Sequence, residues 1–352
     1  MVKKGKRWET MDKGNTSLDK LMLQYEAFNR TEGKTEKTIQ WYSLSLHLLN
    51  EFLRANDYSN LLKDLDLELI RTYILYLQKR PRFEGHPHVP TQDDRLSPAS
   101  VENHVRAIRA FFSWLHREGY TSEHILQRLK LPKVPQMLIE PLNDVEVAAT
   151  FSAFDANTVA GARDICIITL MLDTGVRASE VITLQAKDVH LEDSYMKVMG
   201  KGQKERIVPF GSASQKSLLK YLYHFRPEPV HQGIGNFFLT LDGYLMTYNA
   251  LRLIMNRLAV RSGIDRLHAH LLRHTFAVNY LVNGGDVFSL QQILGHTSLD
   301  MVRRYINLAN THVMTQHKRF SPVDRMNLRQ INRAVTVQKN GRGRKRMALT
   351  AR

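Results

Sequence analysis

The chain has 352 residues, 43% of them hydrophobic, a formal net charge of +16 and one cysteine, Cys166. At this length two cores are expected instead of one; the lone cysteine excludes disulfide frameworks and Cys-rich zinc sites, and no apolar run reaches the ~20 residues needed to cross a bilayer. No secretory signal opens the sequence, so a cytoplasmic protein with no membrane partner is expected, and the excess of Lys and Arg points to a polyanion, nucleic acid first, with a merely basic soluble protein as the alternative.

Residues 1–15 read as a flexible basic arm. From there, SLDKLMLQYEAFNRT, EKTIQWYSLSLHLLNEFLRAN, DLELIRTYILYLQKR and SPASVENHVRAIRAFFSWLHREG place apolar residues at helical spacing, giving a helical domain over 16–130. In the last of these Ser97-Pro98 is a helix start and Gly119 a stop. Ile108, Phe111, Phe112 and Leu115 form its apolar stripe, with His104, Arg106, Arg109 and Arg117 supplying positive charge around it. His104, Arg106 and Arg109 are therefore expected to meet phosphate. Arg80 to Leu96, rich in Pro and polar residues, is expected as an irregular loop.

Three prolines in LKLPKVPQMLIEPL prevent a continuous helix and predict a linker over 131–142, followed by a second domain over 143–320. That domain begins with helices around DVEVAATFSAF and AGARDICIITLMLDTG. A β-rich interval follows, YMKVMG and RIVPF flanking GKGQKE, then FFLTLDG, and helices return up to about Asn310. Residues 321–352 form a strongly basic tail ending in the low-complexity GRGRKR. The fold class is mainly α with a small β-sheet, the second domain being mixed α/β.

Four clusters in the second domain carry chemistry. In TGVRASEVITL, Gly175 caps one helix and another begins near Arg177, with Glu180 three residues on and so on the same face. In YMKVMGKGQKERIVPF, glycines on both sides of Lys201 let a hairpin project that side chain; Lys204 and Arg206 compete for its role. In HAHLLRHTFAVNYLVNGG, His270 and Arg273 face one pocket at i, i+3, joining a forked donor to a group that exchanges protons near neutral pH; His268 and His274 read as surface or packing residues. In LQQILGHTSLDMVRRYINL a helix stops at Gly295, His296 sits in the turn, and Ser298 caps the helix that carries Tyr305. Taken singly, each also reads as an ordinary surface pair, hairpin tip or packed aromatic.

In this order, Arg177, Lys201, His270-Leu-Leu-Arg273-His-Thr-Phe-Ala, Leu294-Gly295-His296 and Tyr305 resemble the active-site signature of the tyrosine recombinase or phage integrase family. The resemblance spans most of residues 140 to 310, and the segment SPASVENHVRAIRAFFSWL is similar to the family's helical core-binding domain. It implies a core-binding domain joined to a catalytic domain. The implied catalytic residues are Arg177, Lys201, His270, Arg273, His296 and Tyr305, supported by Glu180; the basic Lys204 and Arg206 beside the hairpin are expected, from their charge, as further DNA contacts. Implied too are Tyr305 as nucleophile, the two arginines on the phosphate, no cofactor and no metal. The implied partners are double-stranded DNA clamped between the two domains, a homo-tetramer on two DNA sites, a docking segment in THVMTQHKRFSPV, and accessory DNA-bending or directionality proteins. A type IB topoisomerase, a telomere resolvase and a non-catalytic DNA-binding protein remain as alternatives.

Overall fold

The computed structural model describes residues 13–85, 89–135, 139–200, 204–295, 317 and 321–325. Lys201, His296 and Tyr305 lie outside the described residues, as do most of THVMTQHKRFSPV and the basic tail beyond 325. Two compact units divide the chain, Met1–Met137 and Leu138–Arg352.

The first unit is built on four helices, α1 (Leu18–Thr31), α2 (Glu36–Ala55), α3 (Leu67–Lys79) and α4 (Pro98–Arg117). Three of the four start on side-chain caps. Thr35, Asp66 and Ser97 each accept a backbone N–H three residues on, and Pro98 occupies the first turn of α4, where its missing donor is not needed. The stripe expected on α4 is the heart of the core: Ile108, Phe111, Phe112 and Leu115 are all buried, and Phe111 meets Tyr25 of α1 edge to face at 5.3 Å. Between α1, α2 and the following loop, Asp19 accepts from Asn50 at 2.7 Å and Asn60 at 3.0 Å.

Two expectations change here. Lys13–Asn15, placed in the arm, forms a 3-10 turn, and the Lys13 ammonium donates to the Gly119 carbonyl at 2.7 Å. The expected loop at 80–96 contains a small hairpin, β1 (Pro81–Arg82) against β2 (Gln92–Arg95). Its strands were not legible because QDDR is exposed at every position and so has no apolar alternation. Pro81 is tolerated as the first residue of an edge strand.

The second unit is organised around α6 (Val159–Thr174), preceded by α5 (Asp144–Ser152). Cys166, Ile167, Ile168, Leu170 and Met171 are all buried, so α6 is apolar on more than one face and runs through the core. Burial pushes the Cys166 thiol up to about 12. The short α7 (Ala178–Thr183) leads to a three-stranded antiparallel sheet, β3 (Val189–His190), β4 (Tyr195–Met199) and β5 (Glu205–Pro209), with Met199 opposite Glu205. Next comes α8 (Ser212–Lys220), continued by a π turn at Tyr221–Phe225. Then come α9 (Tyr248–Ser262), α10 (Ala269–Val282) and α11 (Val287–Leu294), and the described residues end in a short helix, α12 (Pro322–Arg325). Helix α10 packs against α6, and α11 against both α10 and β5.

FFLTLDG is not a strand. Phe237 and Phe238 are sunk in the core, and the segment makes only a single bridge, Leu239 to Leu245. Its apolar run reflects burial without a strand partner, an ambiguity that periodicity does not resolve. The expected linker is also packed at its ends, Leu131 against the first core and Leu142, 2% exposed, within the second.

Candidate active site

Two helix ends and two helix starts build the site. Helix α6 stops at Gly175, whose φ of 63° lies in the left-handed region; a Cβ there would come within 2.3 Å of Phe276. The chain then turns through buried Val176 to Arg177, which has extended backbone and precedes α7. One turn into α7, Glu180 reaches back: its Oε2 accepts the Arg177 amide and its Oε1 accepts Arg177 Nη1, both at 2.8 Å. The Glu180 side chain is 2% exposed and that of Arg177 34%, so the acid is buried and the guanidinium it orients faces outward.

Helix α10 contributes His270 and Arg273, one turn apart. Arg273 runs inward, 2% exposed, donating from Nη1 to the Gly175 carbonyl at 2.5 Å and from Nη2 to the Leu294 carbonyl at 2.8 Å. Both acceptors are terminal carbonyls of helices, where a cation is favoured. Arg177, Ser179, Tyr248, His270 and Arg273 line one recess of about 190 Å³. Nothing in the sequence alone singles out Ser179 or Tyr248. Ser179 lies inside the Arg177–Glu180 motif, whereas Tyr248 starts a distant helix that no local pattern ties to the site.

His270 is exposed at the mouth of the recess, yet partial desolvation of its ring, then the nearby Arg273 guanidinium, holds the imidazole below the ordinary histidine value of 6.5. It is thus neutral at pH 7 and able to accept a proton. Since its pKa in the folded state is depressed, the unfolded chain binds the proton more readily between the two values. This contribution to stability is present above pH 6.5 and is lost as pH falls through the folded value. Any activity that uses His270 as proton acceptor is expected to fall on the acid side of 6.5, and His270→Gln should flatten that limb; an unchanged acid limb in the variant would assign it to another group.

Burial by itself would raise the Glu180 carboxyl. Hydrogen bonds from Arg206 and the Arg177 amide outweigh it and hold the acid below its usual range. Arg206, expected on DNA, is thereby corrected: its side chain is 13% exposed, and all three guanidinium nitrogens donate inward, to Glu180 Oε1 at 2.7 Å, Glu180 Oε2 at 2.8 Å and the Ile293 carbonyl at 2.8 Å. Lys204 is exposed beside the hairpin tip. His268 is exposed with Nδ1 2.6 Å from the Arg266 carbonyl, and His274 is buried with Nε2 2.5 Å from the Ile139 carbonyl.

In the first unit the three expected phosphate contacts differ in character. His104 is half-buried against Ser45, 3.1 Å away, and burial lowers its pKa, so it supplies no charge at neutral pH. Arg106 is exposed and paired with Glu102 one turn earlier at 2.7 Å, and Arg109 is half-buried. Among the described residues no group of three or more His, Cys, Asp and Glu is arranged to hold a metal ion.

Comparison with known proteins connects these features. Residues 143–312 match the model of the phage integrase family, and residues 20–131 match the phage integrase SAM-like domain. The chain is 31% identical over 294 residues to the tyrosine recombinase XerD of Listeria innocua, an alignment covering 83% of this chain and 94% of that protein. This chain belongs to the tyrosine recombinase family. The recombinase is also 29% identical to XerC of Oceanobacillus iheyensis over 81% of its own length and 90% of that relative's. Its fold is that of XerH bound to a palindromic difH substrate, at a TM-score of 0.64 and 23% identity over 82% of this chain and 80% of that one. It is also that of a lambda integrase dimer bound to a core site, at 0.63 and 17% over 82% and 95%. The mainly helical architecture with a small antiparallel sheet is thus a recombinase fold.

Proposed function

We propose that this recombinase cuts and rejoins double-stranded DNA at specific sites through a covalent bond to Tyr305. The observation that carries the reading is the convergence of Arg177, Arg273 and His270 on one recess, with both arginines held by buried acceptors. A phosphodiester under attack gathers negative charge on its non-bridging oxygens, and two fixed guanidiniums stabilise that charge without reorganising. Tyr305 Oη attacks phosphorus while its proton passes to His270; the bond from phosphorus to the 5′-oxygen breaks, and that oxygen takes a proton from Lys201. His296 donates a hydrogen bond to the phosphate.

The resulting 3′-phosphotyrosyl linkage keeps the energy of the broken bond, so a 5′-hydroxyl from another strand reverses the step without ATP. The cradle of arginines supplies the charge a metal would otherwise provide, and the reaction needs no cofactor. Exchange between two duplexes requires four strand cuts. Four copies on two DNA sites are therefore part of the reading, along with accessory DNA-bending or directionality proteins and action in the cytoplasm. Near end-to-end likeness to XerD supports exchange over relaxation of a single duplex.

The test is adduct formation on a nicked duplex carrying the cognate site, whose short released fragment bearing the new 5′-hydroxyl diffuses away after cleavage, run in EDTA on a denaturing gel. A band shifted by the mass of the protein is expected. A chain that binds the site yet gives no band is a DNA-binding protein and not an enzyme.

A further inference from the structure

Arg206 leaves β5 and reaches two other elements. Two of its nitrogens form a fork on the Glu180 carboxylate, and its Nε donates to the Ile293 carbonyl in the last turn of α11. The packing is close enough that a Cβ on Gly295, just past that helix end, would lie 3.0 Å from Arg206 Cδ. The neighbouring carbonyl of α11, that of Leu294, is the one held by Arg273. One helix end is therefore gripped by two arginines from different elements, and the one from the sheet also holds the acid that orients Arg177.

Charge matters as much as geometry here. A buried carboxylate facing Arg177 alone would form a neutral pair and leave little charge to offer a phosphate. Bidentate pairing with Arg206 occupies both Glu180 oxygens, so the three groups together keep one positive charge, on the side of Arg177 that is open to solvent.

We infer that Arg206 is a positioning residue of the recombinase: it fixes Arg177 relative to Arg273 and neutralises Glu180, so that Arg177 keeps its charge for the reacting phosphate. The inference rests on the proposed reading of Arg177 and Arg273 as phosphate ligands. Arg206 spends all three guanidinium nitrogens inside the protein.

Three variants of the full chain, R206K, R206Q and E180Q/R206Q, are compared with wild type for melting temperature, affinity for intact site DNA, and rate of adduct formation at saturating protein. Because Arg206 is turned inward, R206Q is expected to bind DNA within about threefold of wild type, since affinity follows the phosphates neutralised. Its adduct rate is expected to fall about 100-fold, the scale of a misplaced catalytic group. R206K, which keeps the charge but not the fork, should lie between, about tenfold down. E180Q/R206Q should react faster than R206Q, because the uncompensated acid is gone.

A purely structural tie would instead lower melting temperature, binding and cleavage together, and that pattern overturns the inference, as does a folded R206Q that cleaves at the wild-type rate. A double variant no faster than R206Q overturns the charge argument. If R206Q does not fold, R206K decides by the same ratio of cleavage to binding. A wild type that forms no adduct removes the underlying reading and this inference with it, whereas adduct in wild type and R206Q alike removes the inference alone.

Discussion

Tyr305→Phe is expected to abolish the covalent protein–DNA adduct while leaving binding to the site within about threefold of wild type, because binding follows phosphate neutralisation and the change removes one neutral oxygen. Phe keeps the aromatic ring and removes only the hydroxyl. The variant cannot form the bond from oxygen to phosphorus, and a loss of at least about 10⁴-fold in cleavage is the scale seen when a nucleophile is deleted. Denaturing gels read the adduct and gel shifts read binding. Adduct in the Phe variant at the wild-type level would mean another nucleophile, and Tyr248 would be the first to replace, because it lines the recess beside Arg177, His270 and Arg273.

Arg273→Met should fail on two counts that can be measured separately. The guanidinium is buried, and its loss leaves the carbonyls of Gly175 and Leu294 without that donor, each orphaned buried acceptor costing about 1–3 kcal/mol. A melting temperature lower by several degrees is therefore expected, with about 10²–10³-fold slower cleavage from the loss of a charged donor at the transition state. Arg177→Met offers the contrast: its side chain is 34% exposed and its bond runs to Glu180 one turn away, so cleavage should suffer with less change in melting. Equal melting losses in the two variants would show that Arg273 is not the anchor its geometry describes.

What the sequence made legible was local. Ser97-Pro98 announced a helix start through a cap three residues long, and Gly175 and Gly295 marked helix ends because both adopt the left-handed conformation that glycine allows. Arg177 with Glu180, and His270 with Arg273, were readable as pairs because three residues of helix place side chains on one face. The partners that hold those pairs were not. Arg206 lies 26 residues from Glu180 and 87 from Ile293, so nothing in its neighbourhood distinguished an inward fork from a basic contact with DNA. Tyr248 joined the recess through the packing of α9, and β1 and β2 lacked any apolar rhythm to betray them. Local spacing carries chemistry, while tertiary contact decides which charges are spent inside.

The burial of Cys166 has a practical side. With its thiol sealed in α6 and held protonated, the chain offers no thiolate at neutral pH to an electrophile or oxidant. A cysteine introduced on the surface is then the sole reactive one, since the sequence contains no other. A single fluorophore or cross-linker can be attached without first removing a native residue, and the redox state of the buffer drops out as a variable when strand exchange is followed in real time.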